Sequence, residues 1–186
     1  NLPLSQLPVY GRQHFRENVL GAEVKDAASA GKTVHEDESI RLWTLDEEVL
    51  IASIKTKVHA IGPGVIDGLA KGTALAERDY KGLVIWSPDD PFSYGADLQA
   101  MLPTFMKGGA KAIAPEEKKL QDAMLAMRYA NVPTIAAVRG MALGGGCELA
   151  IHCAKRVVAM ESYIGLVEVG VGLIPGGGGL TYIARR

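Results

Sequence analysis

The chain has 186 residues, enough for one domain with a substantial core, and its 20 basic and 21 acidic residues leave a net charge of −1. No basic tract interleaved with aromatics points to nucleic acid, and no apolar run approaches the roughly 20 residues that a membrane helix needs. The opening residues do not read as a signal peptide, and Cys147 and Cys153 sit six apart on one predicted helix, facing different ways. A disulfide between them is not expected, and reduced cysteines suit a cytoplasmic protein.

Residues 1–38 have weak periodicity, early prolines and a polar middle, and read as a linker or N-terminal extension with one short helix around Arg12–Val19. Two apolar-rich strands follow, Ser39–Leu45 and Val49–Lys55, with Asp46-Glu47-Glu48 turning between them. Pro63 to Tyr80 reads as a helix with Val65, Ile66, Leu69, Ala70, Leu75 and Ala76 on one side. Leu83–Trp86 is a short buried strand, and Ser87–Tyr94 a loop rich in Pro, Asp and Ser. Asp97 is a natural N-cap for a helix starting at Leu98. Gly108-Gly109 and Pro115 mark a loop before a helix from Glu116 to Ala130, whose apolar face is Leu120, Ala123, Met124 and Met127. Thr134–Val138 and Arg156–Met160 read as strands, and a further helix starts at Leu180. Alternation of strand and helix predicts an α/β fold with crossover connections.

Two stretches stand out chemically. Between Arg139 and Lys155 the only formally charged residue is Glu148, which follows the triplet Gly144-Gly145-Gly146 at the start of an apolar helix. The glycines leave the backbone bare, and the helix start offers unpaired N–H groups and the positive end of a dipole. From Ser162 to Ala184 the only charged residue is Glu168. An isolated carboxylate in apolar surroundings needs a partner or a changed protonation state, because desolvation penalises its charge. Close helix packing accounts for a glycine triplet alone; it does not account for two isolated carboxylates.

Other patterns are weaker. Glu148 and His152 are one helical turn apart between Cys147 and Cys153, but the spacing matches no closed zinc site, and His152 reads as a satisfied, half-buried histidine. Pro175-Gly176-Gly177-Gly178-Gly179 lacks the Gly-Lys-Ser/Thr ending of a phosphate loop, and no dinucleotide fingerprint follows a strand. Ser93 and Ser162 sit in no recognisable nucleophile motif.

Three ordered motifs carry a family resemblance: Phe92-Ser93-Tyr94-Gly95-Ala96-Asp97-Leu98, Gly-Gly-Gly-Cys-Glu at 144–148, and Glu168 ahead of Gly-Leu-Ile-Pro-Gly at 172–176. Together they resemble the enoyl-CoA hydratase (crotonase) superfamily over residues 39–186, and more narrowly the hydratase part of fusion proteins that also carry 3-hydroxyacyl-CoA dehydrogenase. The resemblance implies a spiral of repeated β-β-α units, commonly assembled from trimers. It implies Glu148 and Glu168 as the catalytic pair, the backbone N–H groups of Tyr94 and Gly145 as an oxyanion hole, and Ala96, Asp97 and Leu98 against the substrate and its CoA. Tyr94 stands where many members have a small residue. The chain begins without Met and stops at Arg185-Arg186 inside a predicted helix; family members continue with helices that help close the acyl pocket.

The expected activity is hydration of a 2-enoyl-CoA to a 3-hydroxyacyl-CoA in fatty-acid β-oxidation. No metal or redox cofactor is expected, since CoA arrives with the substrate. The expected partners are the acyl-CoA thioester, further copies of the chain and a fused dehydrogenase. The rivals are a 3,2-enoyl-CoA isomerase using one glutamate and a non-catalytic acyl-CoA-binding domain.

Overall fold

The computed structural model describes residues 31–185, so the helix expected around Arg12–Val19 lies outside the described residues. Three strands open the fold: β1 (Lys32–Glu36), β2 (Ile40–Thr44) and β3 (Val49–Ile54). Both reversals are closed by aspartates accepting backbone N–H bonds. Asp37 Oδ1 takes Ser39 N and Ile40 N at 2.7 and 2.9 Å, and Asp46 Oδ1 takes Glu48 N at 2.9 Å. β1 falls within the stretch expected as an extension; its alternation is too polar to read as a strand, and it forms by pairing with β2.

After β3 the chain crosses over through α1 (Pro63–Asp79) to β4 (Gly82–Ile85), then through α2 (Leu98–Arg128) to β5 (Thr134–Val138). β6 (Met141–Leu143) leads into α3 (Gly145–His152), followed by β7 (Lys155–Val158), β8 (Tyr163–Gly165), a 3₁₀ turn at Glu168–Val171 and the short α4 (Gly179–Ile183). The main sheet runs β1-β2-β3-β4-β5-β7, antiparallel over its first three strands and parallel from β3 onward. β6 and β8 form a separate two-stranded parallel sheet that periodicity did not announce, since each is only three residues long.

The two helices expected between Leu98 and Ala130 meet almost without a loop. α2 is continuous except at Gly109, whose φ of 60° and ψ of −152° break the helical path, while Pro115 is accommodated within it. Asp97 Oδ1 accepts Ala100 N at 3.0 Å, the expected N-cap, and Leu120, Ala123, Met124 and Met127 are buried, the expected apolar face.

The core lies between the sheet and the helices, with Leu42, Leu50, Leu69, Leu83, Met124 and Leu149 almost fully buried. α1 lies directly on β2 because Gly64, Gly68 and Gly72, spaced by four, form a bare stripe against Ser39, Ile40 and Leu42. A methyl group at Gly68 would overlap Cγ2 of the fully buried Ile40. Replacing a helix glycine with alanine gains about 1 kcal/mol in propensity, whereas overpacking a dense core costs about 1–3 kcal/mol. Gly68→Ala is therefore expected to lower the denaturant midpoint at unchanged m-value; a raised midpoint would show that Ile40 can yield.

Candidate active site

The site forms where three backbone segments come together at the start of α3. The residues around Ser93 pair with β6: Ser93 N donates to Met141 O, and Leu143 N donates to Ser93 O. This places Gly95 against the glycine triplet. A methyl at Gly95 would lie 2.6 Å from Leu143 O and 2.9 Å from Gly145 N, and one at Gly146 would lie 2.5 Å from Ser93 O. Gly95 also has φ +91°, a left-handed conformation that a side chain disfavours. The two motifs thus meet backbone to backbone, at a distance only glycine permits.

Gly145 N opens α3, where the first N–H groups have no intrahelical acceptor, and it makes no hydrogen bond among the described residues. Tyr94 N lies on the facing segment but is directed at the Val58 carbonyl, 3.2 Å away. That is the long end of the N–H···O range, so the donor expected to be open has an intramolecular contact. Val58 and His59 both have φ of 51°, an outlier for a β-branched residue, in the turn that presents this carbonyl.

The two isolated carboxylates are near enough for the charge of Glu168 to act on Glu148. Glu148, on the first turn of α3, is 2% exposed, and its Oε1 accepts Gly179 N at 2.9 Å. Burial pushes its carboxyl above the usual range; the Gly179 and Gly177 amides oppose this, and the negative charges of Glu168 and Glu117 add to it. Glu168 is half-buried on the 3₁₀ turn, with Oε1 beside Gly144, 3.2 Å from where a Cβ would stand, and Oε2 buried with no protein partner. Glu168 lies against Gly144, whereas the Glu148 carboxylate, two residues beyond the triplet in sequence, lies against Gly177 and Gly179.

Glu117, on α2, is a third carboxylate that the sequence reading passed over. It lies in a Glu-Glu-Lys-Lys run that looks like a solvated helix face, and no local pattern distinguishes it. Its Oε1 is buried without a partner against Gly176, and burial pushes its carboxyl upward. The glycines at 176–179 therefore have a reason. A side chain at Gly176 would strike Glu117, one at Gly177 would lie 2.7 Å from Glu148 Oε2, and one at Gly178 would lie 3.4 Å from the His152 ring.

His152 is buried, its Nδ1 2.7 Å from the Glu148 carbonyl, and burial lowers its pKa, as for a satisfied core histidine. Cys147 and Cys153 are free and buried, their thiols pushed up to about 11 and about 12 by burial, so neither is a thiolate near neutrality. Among the described residues no three His, Cys, Asp or Glu side chains converge as metal ligands would. Ala96 lines a cavity of about 240 Å³ with Ile61, Ile66, Met101, Ile113 and Leu120, and Glu116 and Glu117 border it. Asp97 and Leu98 do not line it; the Asp97 carboxylate caps α2 and Leu98 is exposed. No helix among the described residues is long and apolar enough to cross a membrane.

Residues 48–186 match the sequence model of a family described as enoyl-CoA hydratase/isomerase. A Bacillus subtilis protein described as "Probable 3-hydroxyacyl-CoA dehydrogenase" is 34% identical over 173 residues, which is 91% of this chain and 22% of that relative. The "Peroxisomal bifunctional enzyme" of Cavia porcellus is 37% identical over 130 residues, 69% of this chain and 17% of its own length. The chain thus spans about a fifth of the curated relatives it matches. The crystal structure of an enoyl-CoA hydratase from Polaromonas sp. JS666 aligns with a TM-score of 0.73 at 28% identity, over 78% of this chain and 58% of that one. The crotonase fold expected from the three motifs is the fold observed.

The Glu148 environment gives a stability test with a fixed sign. Its folded pKa is raised, so the folded state is penalised as pH climbs from the unfolded value of about 4.5, and the penalty vanishes below it. Glu148→Gln retains an oxygen for Gly179 N and removes the charge. Its NH2 group then meets the Gly177 amide, so the expected signature is in the pH dependence: the melting temperature of the variant relative to wild type rises as pH climbs from about 4.5 to 8, and a difference independent of pH would contradict this.

Proposed function

Because the chain belongs to the enoyl-CoA hydratase/isomerase family, we propose that it hydrates 2-enoyl-CoA thioesters to 3-hydroxyacyl-CoA. The observation that carries this reading is that the Glu168 carboxylate lies against Gly144 of the turn that also presents the Gly145 amide, near enough to Glu148 on the first turn of α3 for its charge to raise the Glu148 pKa. Hydration needs both a proton acceptor and a proton donor. One carboxylate takes a proton from water as the water oxygen bonds to the β carbon, and the other gives its proton to the α carbon. Like-charged carboxylates in partly apolar walls cannot easily both ionise, which favours one acid and one base.

As water adds, the thioester oxygen gains enolate character. In this reading the Gly145 amide and the Tyr94 amide meet that charge. Stabilisation by preorganised donors is commonly the largest single catalytic contribution. The Tyr94 contact to Val58 at 3.2 Å is long enough for a thioester oxygen to share or replace. The cavity of about 240 Å³ beside Ala96 is of a size for the acyl part of the thioester, and CoA enters as part of the substrate, so the step needs no further cofactor.

Relatives described as fatty acid oxidation complex subunits and a peroxisomal bifunctional enzyme support a place in β-oxidation. A fused dehydrogenase then stands beside this domain to oxidise the 3-hydroxyl group. Exposed Val157, Met160, Val169, Val171 and Ile174 give the later part of the chain an apolar surface suited to such a neighbour or to a trimer of copies. A cytoplasmic location fits this reading.

General acid–base groups contribute about 10²–10⁴-fold. Glu148→Gln and Glu168→Gln are each expected to reduce crotonyl-CoA hydration by that order, followed as loss of the enoyl thioester absorbance, with KM changing far less. The double variant is expected to lose less than the product of the single losses, because both groups act in one step. Near-normal hydration by Glu168→Gln would remove Glu168 from the mechanism, whereas a wild type that shifts a 3-enoyl-CoA double bond without hydrating crotonyl-CoA would move the assignment to the one-glutamate 3,2-enoyl-CoA isomerase. Thioester binding with neither reaction would leave an acyl-CoA-binding domain.

A further inference from the structure

The loop leading to α4 is held with little backbone bonding. Leu173 N donates to Glu168 O and Tyr182 N to Gly178 O, each at 3.0 Å. Between them, no backbone–backbone hydrogen bond involves Ile174, Pro175, Gly176 or Gly177 among the described residues. One face of α2 meets this stretch instead. Glu117, Gln121 and Met124, at spacings of four and three, stand against it. Glu117 Oε1 lies beside Gly176, Met124 Sδ is 3.0 Å from where a Cβ at Gly177 would stand, and Gln121 Nε2 donates to Gly176 O at 2.8 Å.

The Gly176 carbonyl and the Gly177 N–H are the two ends of one peptide group. That peptide is trans, so its C=O and N–H point in opposite directions in one plane. Gln121 holds the carbonyl toward α2, which turns the N–H away from it, to where Glu148 Oε2 stands 2.7 Å from the Cβ position of Gly177. The Gly177 amide accordingly opposes the effect of burial on Glu148. Glycine on both sides lets such a plane turn over with little movement of its Cα atoms, and a cavity of about 480 Å³ lined by Gln121 and Gly176, Gly177 and Gly178 leaves room for it. Turned over, the peptide would set the Gly176 carbonyl against the Glu148 carboxylate. Its N–H would turn toward α2, where Glu117 Oε1 is buried without a partner. Gly179 is held separately, as the first residue of α4, and donates to Glu148 Oε1 at 2.9 Å.

We propose that Gln121 is a positioning residue: by holding the Gly176 carbonyl, it keeps the Gly176–Gly177 peptide turned so that the Gly177 N–H faces the Glu148 carboxylate. Its part in turnover rests on the reading of Glu148 as a proton-transfer group. Two loop amides then bear on Glu148, and only the one at 177 depends on α2. The titratable groups that surround Glu148 are Glu168 on the 3₁₀ turn, Glu117 on α2, and Cys147 and His152 on α3. An uncharged replacement of Gln121 leaves all four in place.

The test uses the full chain carrying ¹⁵N-glycine and ¹³Cδ-glutamate, with the Gly177 and Gly179 amides and the Glu148 carboxyl followed by NMR against pH. The Glu148 signal is identified by its absence in Glu148→Gln. In the wild type both amide shifts are expected to follow the Glu148 titration. Gln121→Met keeps the length and removes the donor. Gly177 is then expected to stop following Glu148 while Gly179 continues, and the Glu148 midpoint is expected to move upward, because an amide that favours the ionised form is lost. In parallel, kcat for crotonyl-CoA is expected to fall by about 10-fold with KM within about threefold. Gln121→Glu, whose carboxylate accepts but cannot donate, serves if Gln121→Met does not fold; there the amide readout alone counts, since that substitution adds a charge. A Gly177 amide that still follows Glu148 in the variant, or never does so in the wild type, overturns the role of Gln121 and leaves the hydration reading intact. Loss at Gly177 and Gly179 together makes the bond a general brace of the loop and overturns the orienting role. The expected amide result with unchanged kcat overturns its part in turnover. Absence of hydration by the wild type overturns the hydration reading and leaves the amide result standing.

Discussion

The structure depends on the approach of two backbones, the Ser93–Gly95 segment and the Leu143–Gly146 turn, to a distance that excludes every side chain. Leu143 O and Gly145 N on one side and Ser93 O on the other fill the space where Cβ atoms at Gly95 and Gly146 would stand. Backbone amides are rigid donors that need no rotamer ordering, so bringing them together costs conformational freedom only once, when the fold forms. The close approach also expels water, which strengthens any electrostatic interaction made there.

The sheet makes this approach possible. β4 and β5 run parallel, so the loop after β4 and the turn after β5 emerge at the same end, with Ser93 and Ala142 bridged just beyond it. At the opposite end of β5, the buried hydroxyl of Thr134 donates to Met127 O at the end of α2 and accepts Ala154 N just after α3. The helices preceding and following the site are thereby fixed to the strand that delivers it.

Glycines play two roles here. At 95, 145 and 146 they let backbone reach backbone, while at 144 the bare backbone admits the Glu168 carboxylate. At 176–179 they let side chains reach backbone, with Glu117, Glu148 and the His152 ring each occupying space next to a different glycine. The second role answers the desolvation problem posed by Glu148, because the bare loop brings the Gly177 and Gly179 amides to its carboxylate. Burial still dominates, and the charges of Glu168 and Glu117 act in the same direction, so the carboxyl stays above its ordinary pKa despite the two amides.

By itself the sequence determined the α/β class, the long helices, the Asp97 cap, the buried face of α2 and the isolation of Glu148 and Glu168. Each of these is written in local spacing or in the absence of charge over a long run. Tertiary structure alone decided four other features. β1, β6 and β8 exist through their partners, being too polar or too short to show a period. The two-helix expectation merged into α2 because a loop can shrink to one residue, Gly109. Glu117 joined the carboxylates because α2 packs its charged run against Gly176, a neighbour 59 positions away in the numbering. The bond network of Ser93 links positions 34 and 2 apart; a buried hydroxyl has no periodicity, so only the folded chain shows what it holds.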